Sequence, residues 1–139
     1  MVIIVGAGIG GLSLALCLER EGIECRIFEA AAELAPLGVG INLLPHAMRT
    51  LTELGLQELL LAAGVETREV NFYNRFGQFI YSDARGRFAD YPWPQISLHR
   101  GELQRLLAEA EKRRRAEEQR EKTARTGRSP PKNALQRAL

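Results

Sequence analysis

The sequence predicts an α/β fold, on three observations. A short apolar, β-rich run, Val2–Val5, leads at once into the cluster Gly6-Ala7-Gly8-Ile9-Gly10-Gly11. Residues 12–21 have helical composition and separate it from a second β-rich run, Cys25–Phe28. Short β-rich and helical stretches then alternate to about residue 110, as in a domain that opens on a parallel βαβ crossover. With 139 residues and 45% apolar content, the chain is long enough for one ordinary domain with a core.

Taken in order, Val2–Val5 has the length of a buried parallel strand. Gly6, Gly8 and Gly11 then fall in the spacing G-x-G-x-x-G. The first lets the chain turn tightly out of the strand. The second, lacking a Cβ, lets a pyrophosphate approach the backbone, and the third lets the helix pack closely on the strand. Residues 12–21 read as that helix, with Gly22 as its stop. Its first turn offers unpaired N–H groups and a partial positive charge to phosphates. Cys25–Phe28 closes on Glu29, 18 residues past Gly11. That is near the ~20 expected of the acid that holds the ribose hydroxyls. Strand, glycines, helix and acid together describe a Rossmann-like dinucleotide-binding unit. Glu29 suits NAD as well as FAD, since both present free ribose hydroxyls.

Residues 30–40 read as a loop, with Pro36, Gly38 and Gly40, and residues 41–44 as a short apolar run. Pro45 suits a first helical residue. Residues 46–54 place Met48, Leu51 and Leu54 at helical spacing before Gly55, and residues 56–63 form a second short helix before Gly64. Residues 70–73 and 78–81 are β-rich and joined through Asn74-Arg75-Phe76-Gly77, a good hairpin turn. Their aromatics, Phe72, Tyr73, Phe79 and Tyr81, read first as hairpin packing and second as the wall of an aromatic pocket. Residues 84–94 look irregular, and residues 95–98 read as a strand. From Gly101 a helix puts Leu103, Leu106, Leu107 and Ala110 on one face. Beyond Ala110 that face disappears. Residues 111–122 suit a solvated helix with Arg113–Glu117, Arg114–Glu118 and Glu118–Lys122 pairs. Residues 123–139, with Gly127, Ser129, Pro130 and Pro131, have a disordered composition.

The formal charge of +2 hides an asymmetry. Residues 1–111 carry nine arginines, no lysine and fourteen acids, whereas residues 112–139 carry ten basic residues and three acids. The basic run 112–115 reads as a solvated face rather than a nucleic-acid site. Cys17 and Cys25 form no C-x-x-C pair and no zinc spacing, which suits core thiols in a reducing compartment. His46 and His99 are too isolated for a metal site. Residues 1–18 are uncharged, but no basic segment precedes the apolar run and the glycines weaken a spanning helix. The expectation is a cytoplasmic protein with no membrane and no nucleic-acid partner.

Three blocks, VGAGIGGLSLALCLEREGIECRIFEA, PLGVGINLLPHAMRTLTELGL and ISLHRGELQRLL, resemble the flavin-dependent aromatic hydroxylases, the FAD monooxygenases of the 4-hydroxybenzoate hydroxylase type. The second and third look like the branch containing phenazine hydroxylases. The likeness covers residues 1–110. It implies that Gly6, Ala7, Gly8, Ile9, Gly10 and Gly11 face the FAD pyrophosphate, that Glu29 with Ala30 meets the adenosine ribose, and that Gly38 and Gly40 let the loop pass close to the flavin. Arg100 would contact the pyrophosphate side, a task suited to a permanently charged, bidentate guanidinium. In such enzymes NADPH or NADH reduces the flavin and an oxygen atom of O2 reaches an electron-rich ring of a small aromatic substrate. The cofactor carries that chemistry, so no catalytic side chain is assigned. The implied division is an FAD-binding portion at 1–68 and 95–111, a hairpin at 69–94 that begins a β-rich substrate domain, and a charged helical or disordered tail at 112–139.

The family's later Asp-Gly and Gly-Asp motifs have no counterpart here, because Asp83 and Asp90 are the only aspartates and neither has a glycine neighbour. The expectation is therefore an incomplete FAD-binding domain, an N-terminal portion from a truncated or frameshifted reading frame, inactive alone. The alternatives are an NAD-dependent oxidoreductase domain and a non-enzymatic, basic-tailed binding module.

Overall fold

The computed structural model describes residues 1–31 and 39–126. Strand β1 (Val2–Val5), helix α1 (Ile9–Arg20) and strand β2 (Cys25–Phe28) form the crossover. The strands are parallel, with Val2 opposite Cys25 and Val5 opposite Phe28. Composition placed the helix start at Leu12, but the helix begins at Ile9, with Gly8 as its N-cap in extended geometry. Gly10 and Gly11 thus lie in the first turn, because the helix must start directly against the end of β1 to pack there. At the other end Gly22, at φ +71°, stops the helix, and Ile23 donates back to the Leu18 carbonyl at 2.8 Å.

The chain continues through β3 (Gly40–Leu43), α2 (Pro45–Glu53), α3 (Gln57–Ala63) and β4 (Val65–Glu66). It ends in the hairpin β5 (Glu69–Tyr73) and β6 (Phe79–Ala84), then β7 (Ile96–His99) and α4 (Arg100–Thr126). Strand β7 is the centre of an antiparallel sheet between β3 and β4. Composition could not show β4, because two residues give no periodicity; it exists because β7 supplies the partner. A 3-10 turn at Gly86–Ala89 orders the stretch read as irregular. The hairpin turn forms as its residues require: Asn74 Oδ1 accepts from the N–H of Phe76 and Gln78, and Gly77 takes φ +78°.

The core gathers Leu16 of α1, Met48 of α2, Leu60 of α3, Ile96 of β7, and Leu103 and Leu107 of α4, all nearly inaccessible. Burial of such side chains is worth about 1.5–3 kcal/mol each. Strand β1 is covered on one face only. Ile4 is buried against α1, while Ile3 is 60% and Val5 87% exposed. The expected buried parallel strand is thus covered on the α1 side alone, in a sheet of two strands among the described residues.

Helix α4 runs unbroken through the charge change. Lys122 pairs with Glu118 at 2.6 Å as the spacing predicts. Arg114 instead donates to the carbonyls of Leu54 (3.1 Å) and Leu16 (3.4 Å), and Arg115 pairs with Glu111 and approaches Glu19 at 3.9 Å. The solvated-face reading therefore fails at Arg114, which is half-buried, while Arg115 stays exposed. Leu54 caps α2, and a helix end presents unsatisfied carbonyls and a partial negative charge that draw a cation. Removing the guanidinium in Arg114→Ala is expected to lower the unfolding free energy by about 1–2 kcal/mol, read by urea denaturation.

Glu19 is a second consequence of this docking. Burial and the neighbouring Glu111 carboxylate hold its carboxyl above the usual carboxylate range, against the opposing pull of Arg115 and Arg114. The folded state thus binds this proton more tightly than the unfolded chain, so the protein loses stability as pH rises through the raised value. Glu19→Gln removes that loss. Its Tm is expected to exceed the parent's by a few degrees at neutral pH, with the gap closing as pH falls through the carboxyl range.

Candidate functional site

The loop between β1 and α1 is built by backbone constraints. Gly6 takes φ +100°, and its N–H donates to Phe28 O at 2.7 Å, locking the end of β1 to the end of β2. A Cβ on Gly11 would lie 2.0 Å from the Gly6 carbonyl oxygen, so only glycine fits where helix meets strand. A Cβ on Gly8 would meet nothing within 4 Å, which leaves open space in front of that backbone.

The mouth of α1 has no side-chain cap and no acid in its first turn. Its first main-chain bond runs from Leu12 N–H to Gly8 O, so the N–H groups of Ile9, Gly10 and Gly11 have no partner within the helix. By contrast the start of α4 is satisfied: Arg100 N–H donates to Val39 O at 2.9 Å, and Gly101 N–H to His99 Nδ1 at 3.2 Å. The mouth of α1 thus combines open N–H groups, the glycine loop and the absence of an acid in its first turn, and it suits an anion.

Glu29 stands at the C-terminal end of β2 and accepts from Ala7 N–H at 2.6 Å and Ala31 N–H at 2.9 Å. These backbone bonds, Ala31's first, hold its carboxyl below the usual range. The group stays ionised beside the loop, a strong acceptor for a diol.

Several candidate residues converge. Gly6 to Gly11, Glu29 and Ala30 form one loop pair. Gly40 pairs with His99 at the edge of the antiparallel sheet, beside Arg100. Gln104, one turn after Arg100, donates its side-chain amide to Ala7 O at 3.1 Å, which brings the first turns of α4 up to the glycine loop. The sequence reading missed Gln104; its i+4 spacing from Arg100 was the available clue. Gly38 lies outside the described residues; of residues 123–139, read as disordered, 123–126 are instead the last turn of α4 and the rest lie outside the described residues.

The other candidates lie elsewhere. Phe72 stacks on Tyr81 with centroids 4.4 Å apart, and Tyr73 meets Phe79 edge-on at 5.7 Å, which is cross-strand packing. Cys17 and Cys25 are free thiols, and burial pushes that of Cys25 up, away from reactivity. Among the described residues no His, Cys, Asp and Glu cluster could hold a metal, and no helix is long and apolar enough to cross a membrane.

Comparison with known proteins bears on this geometry. A family model described as an FAD binding domain matches residues 1–131. A phenazine 1,6-dicarboxylic acid hydroxylase of Lysobacter antibioticus is 46% identical over 114 residues, which is 81% of this chain and 28% of that protein. The crystal structure of Klebsiella pneumoniae HpxO with FAD and uric acid superposes with a TM-score of 0.67 at 27% identity, over 78% of this chain and 28% of that one. A 2-methyl-3-hydroxypyridine-5-carboxylic acid oxygenase shares the fold at TM-score 0.69 and 21% identity, over 81% of this chain and 29% of that one. The chain thus spans between a quarter and a third of the length of these relatives.

Proposed function

The chain belongs to the FAD binding domain family, and from that premise we propose that its glycine loop holds the ADP half of FAD within a flavin-dependent monooxygenase of aromatic rings. The observation that carries this reading is the open mouth of α1, whose N–H groups at Ile9, Gly10 and Gly11 have no partner within the helix, beside an ionised Glu29. The space in front of Gly8 fits a diphosphate, and the Glu29 carboxylate fits the ribose diol. Ala30 lines the same edge. Arg100 supplies a permanent positive charge for the pyrophosphate side, and Gly40 lets the backbone come close to the flavin, a role the family resemblance also implies for Gly38. Gln104 positions the loop through Ala7 rather than touching the cofactor.

When bound, FAD supplies redox chemistry: it takes a hydride from NADPH or NADH and delivers an oxygen atom of O2 to an electron-rich ring. This chain contributes binding and orientation to that process, and no proton-transfer residue is assigned to it. The family's named substrates, including uric acid and a phenazine dicarboxylic acid, support a planar aromatic or heterocyclic substrate for the whole protein. We assign 1–68 and 95–111 to cofactor binding, 69–94 to the start of the substrate domain, and 112–139 to a tail whose first turns brace α1. Free, half-buried thiols suit the cytoplasm.

Titration of the full chain with FAD, followed by flavin fluorescence, tests the reading. Saturable quenching at one FAD per chain, reversed by ADP and unaccompanied by NADPH consumption, is expected. No quenching from a folded chain contradicts it. A nicotinamide dinucleotide offers Glu29 the same diol; displacement of FAD by equimolar NAD would favour that alternative.

A further inference from the structure

We propose that the Glu19 carboxyl of α1 is protonated and donates to the Glu111 carboxylate of α4, and that this proton clasps the distal half of α4 onto α1 and releases it when lost. The two helices bring the carboxyls together through their apolar faces. On α1 the buried residues Leu12, Ala15 and Leu16 lead to Glu19, three positions past Leu16. On α4 Leu103, Leu106, Leu107 and Ala110 are buried, and Glu111 follows four positions past Leu107. Each apolar stripe thus runs out on an acid where the helices meet. Glu111 is 7% exposed and the Glu19 side chain 14%.

The charges at this contact do not balance without that proton. Arg115 Nε pairs with Glu111 Oε1 and lies 3.9 Å from Glu19 Oε1, so one guanidinium serves two carboxylates. The cations nearby are engaged elsewhere. Arg114 donates to the carbonyls of Leu16 and Leu54, Arg20 pairs with Glu53 at 2.8 Å, and Lys122 pairs with Glu118. Glu118 adds further negative charge, and Cys25 of β2 is a thiol that burial pushes up and so keeps neutral. The hydrogen bonding leaves the same gap. Glu19 Oε2 and Glu111 Oε1 are both buried, and neither has a hydrogen-bond partner, since Arg115 meets Glu111 as a charge alone. Two ionised carboxylates only accept and cannot satisfy one another, whereas a protonated carboxyl donates to an ionised one.

The proton then sets where the distal half of α4 lies. Burial first, and the Glu111 charge second, hold the Glu19 carboxyl above the usual range. The docked helix keeps the proton more tightly than a solvated one does. Docking is therefore complete below the ordinary carboxyl range and weakens as pH rises through the raised value. Loss of the proton to water leaves two buried carboxylates facing one exposed guanidinium, and their hydration favours parting. What parts is bounded by the core. Leu103 and Leu107 stay anchored there, while residues 112–122 contain no apolar side chain larger than Ala116. A charged contact thus decides whether that segment lies on α1. The clasp does not rest on the flavin reading, because none of its residues belongs to the glycine loop.

Amide hydrogen exchange and carboxyl NMR on the full chain test the clasp. Glu19→Gln carries a permanent donor in place of the proton, so it serves as the reference at each pH and cancels the intrinsic pH dependence of exchange. Amides of residues 112–122 should exchange alike in parent and Glu19→Gln below the Glu19 titration, and about tenfold faster in the parent above it. The carboxyl carbon of Glu19 should titrate above the usual carboxylate range in the parent. In Glu111→Gln, where no second charge faces it, that midpoint should move back towards the usual range. Circular dichroism confirms that each variant is folded, and the parent's own carboxyl titration needs no variant. The proposal is overturned by a parent Glu19 that titrates in the usual range, or by a midpoint unmoved in folded Glu111→Gln. It is equally overturned if parent and folded Glu19→Gln exchange alike at every pH, or if the acceleration reaches Ile96–His99 of β7 to the same degree, which is loss of the whole fold.

Discussion

Gly11→Val will destabilise the chain by about 3 kcal/mol or more and abolish FAD binding with it, because the added atoms have no place to go. The first of them would lie 2.0 Å from the Gly6 oxygen and 3.3 Å from Ile4 Cγ2. Neither neighbour can yield cheaply. Gly6 is held at φ +100° by its bond to Phe28, and Ile4 is the buried residue of β1. Moving α1 outward would relieve the clash but would open the core at Leu12, Ala15 and Leu16. Gly8→Ala is the informative contrast. Its Cβ enters open space, so the fold should keep its stability within about 1 kcal/mol, while FAD affinity falls at least about tenfold because the methyl occupies the approach of the diphosphate. Thermal unfolding and flavin titration on the two variants separate packing from binding. Equal behaviour of Gly8→Ala and the parent toward FAD would count against the placement of the diphosphate.

Glu29→Gln is expected to weaken FAD binding by about 10- to 100-fold with little change in helix content. The carboxylate accepts from two backbone N–H groups at once, on different oxygens. The amide keeps one acceptor and turns an NH2 toward a donor, so one bond is lost and a repulsion replaces it. The remaining oxygen also holds the diol less strongly than an anion does. The pH dependence follows from the depressed carboxyl. A group whose folded pKa lies below its unfolded value contributes fully above the unfolded value and is lost as pH falls through the folded one. FAD affinity of the parent should therefore stay flat from neutral pH down to about 5, and fall only in more acidic solution. A midpoint near neutrality, measured by fluorescence titration, would show that another group governs the site.

The parts of this architecture legible in one dimension are those where local chemistry leaves no alternative. Gly6, Gly8, Gly11 and Glu29 could be placed because each answers a backbone or ligand constraint within a single crossover. The hairpin was legible for the same reason, since Asn74 and Gly77 specify its turn. The helix start was not, because glycine composition argues against a helix that packing against Ile4 nonetheless requires. Pairing of β7 with β3 joins residues more than fifty positions apart, and two-residue β4 leaves no pattern at all. Arg114 looks like solvated charge along the chain, and only the fold shows the end of α2 that it meets.

The central claim is that the amides at the mouth of α1, without partners in the helix, hold the cofactor's diphosphate. Amide NMR of the full chain during titration with FAD tests it most directly. The account predicts saturable shifts concentrated at Ile9, Gly10 and Gly11, with Ala7 and Ala31 moving as Glu29 turns to the ribose, and the same pattern with ADP. Shifts confined to residues outside the glycine loop, or an unmoved set of α1 amides at saturating FAD, would contradict it.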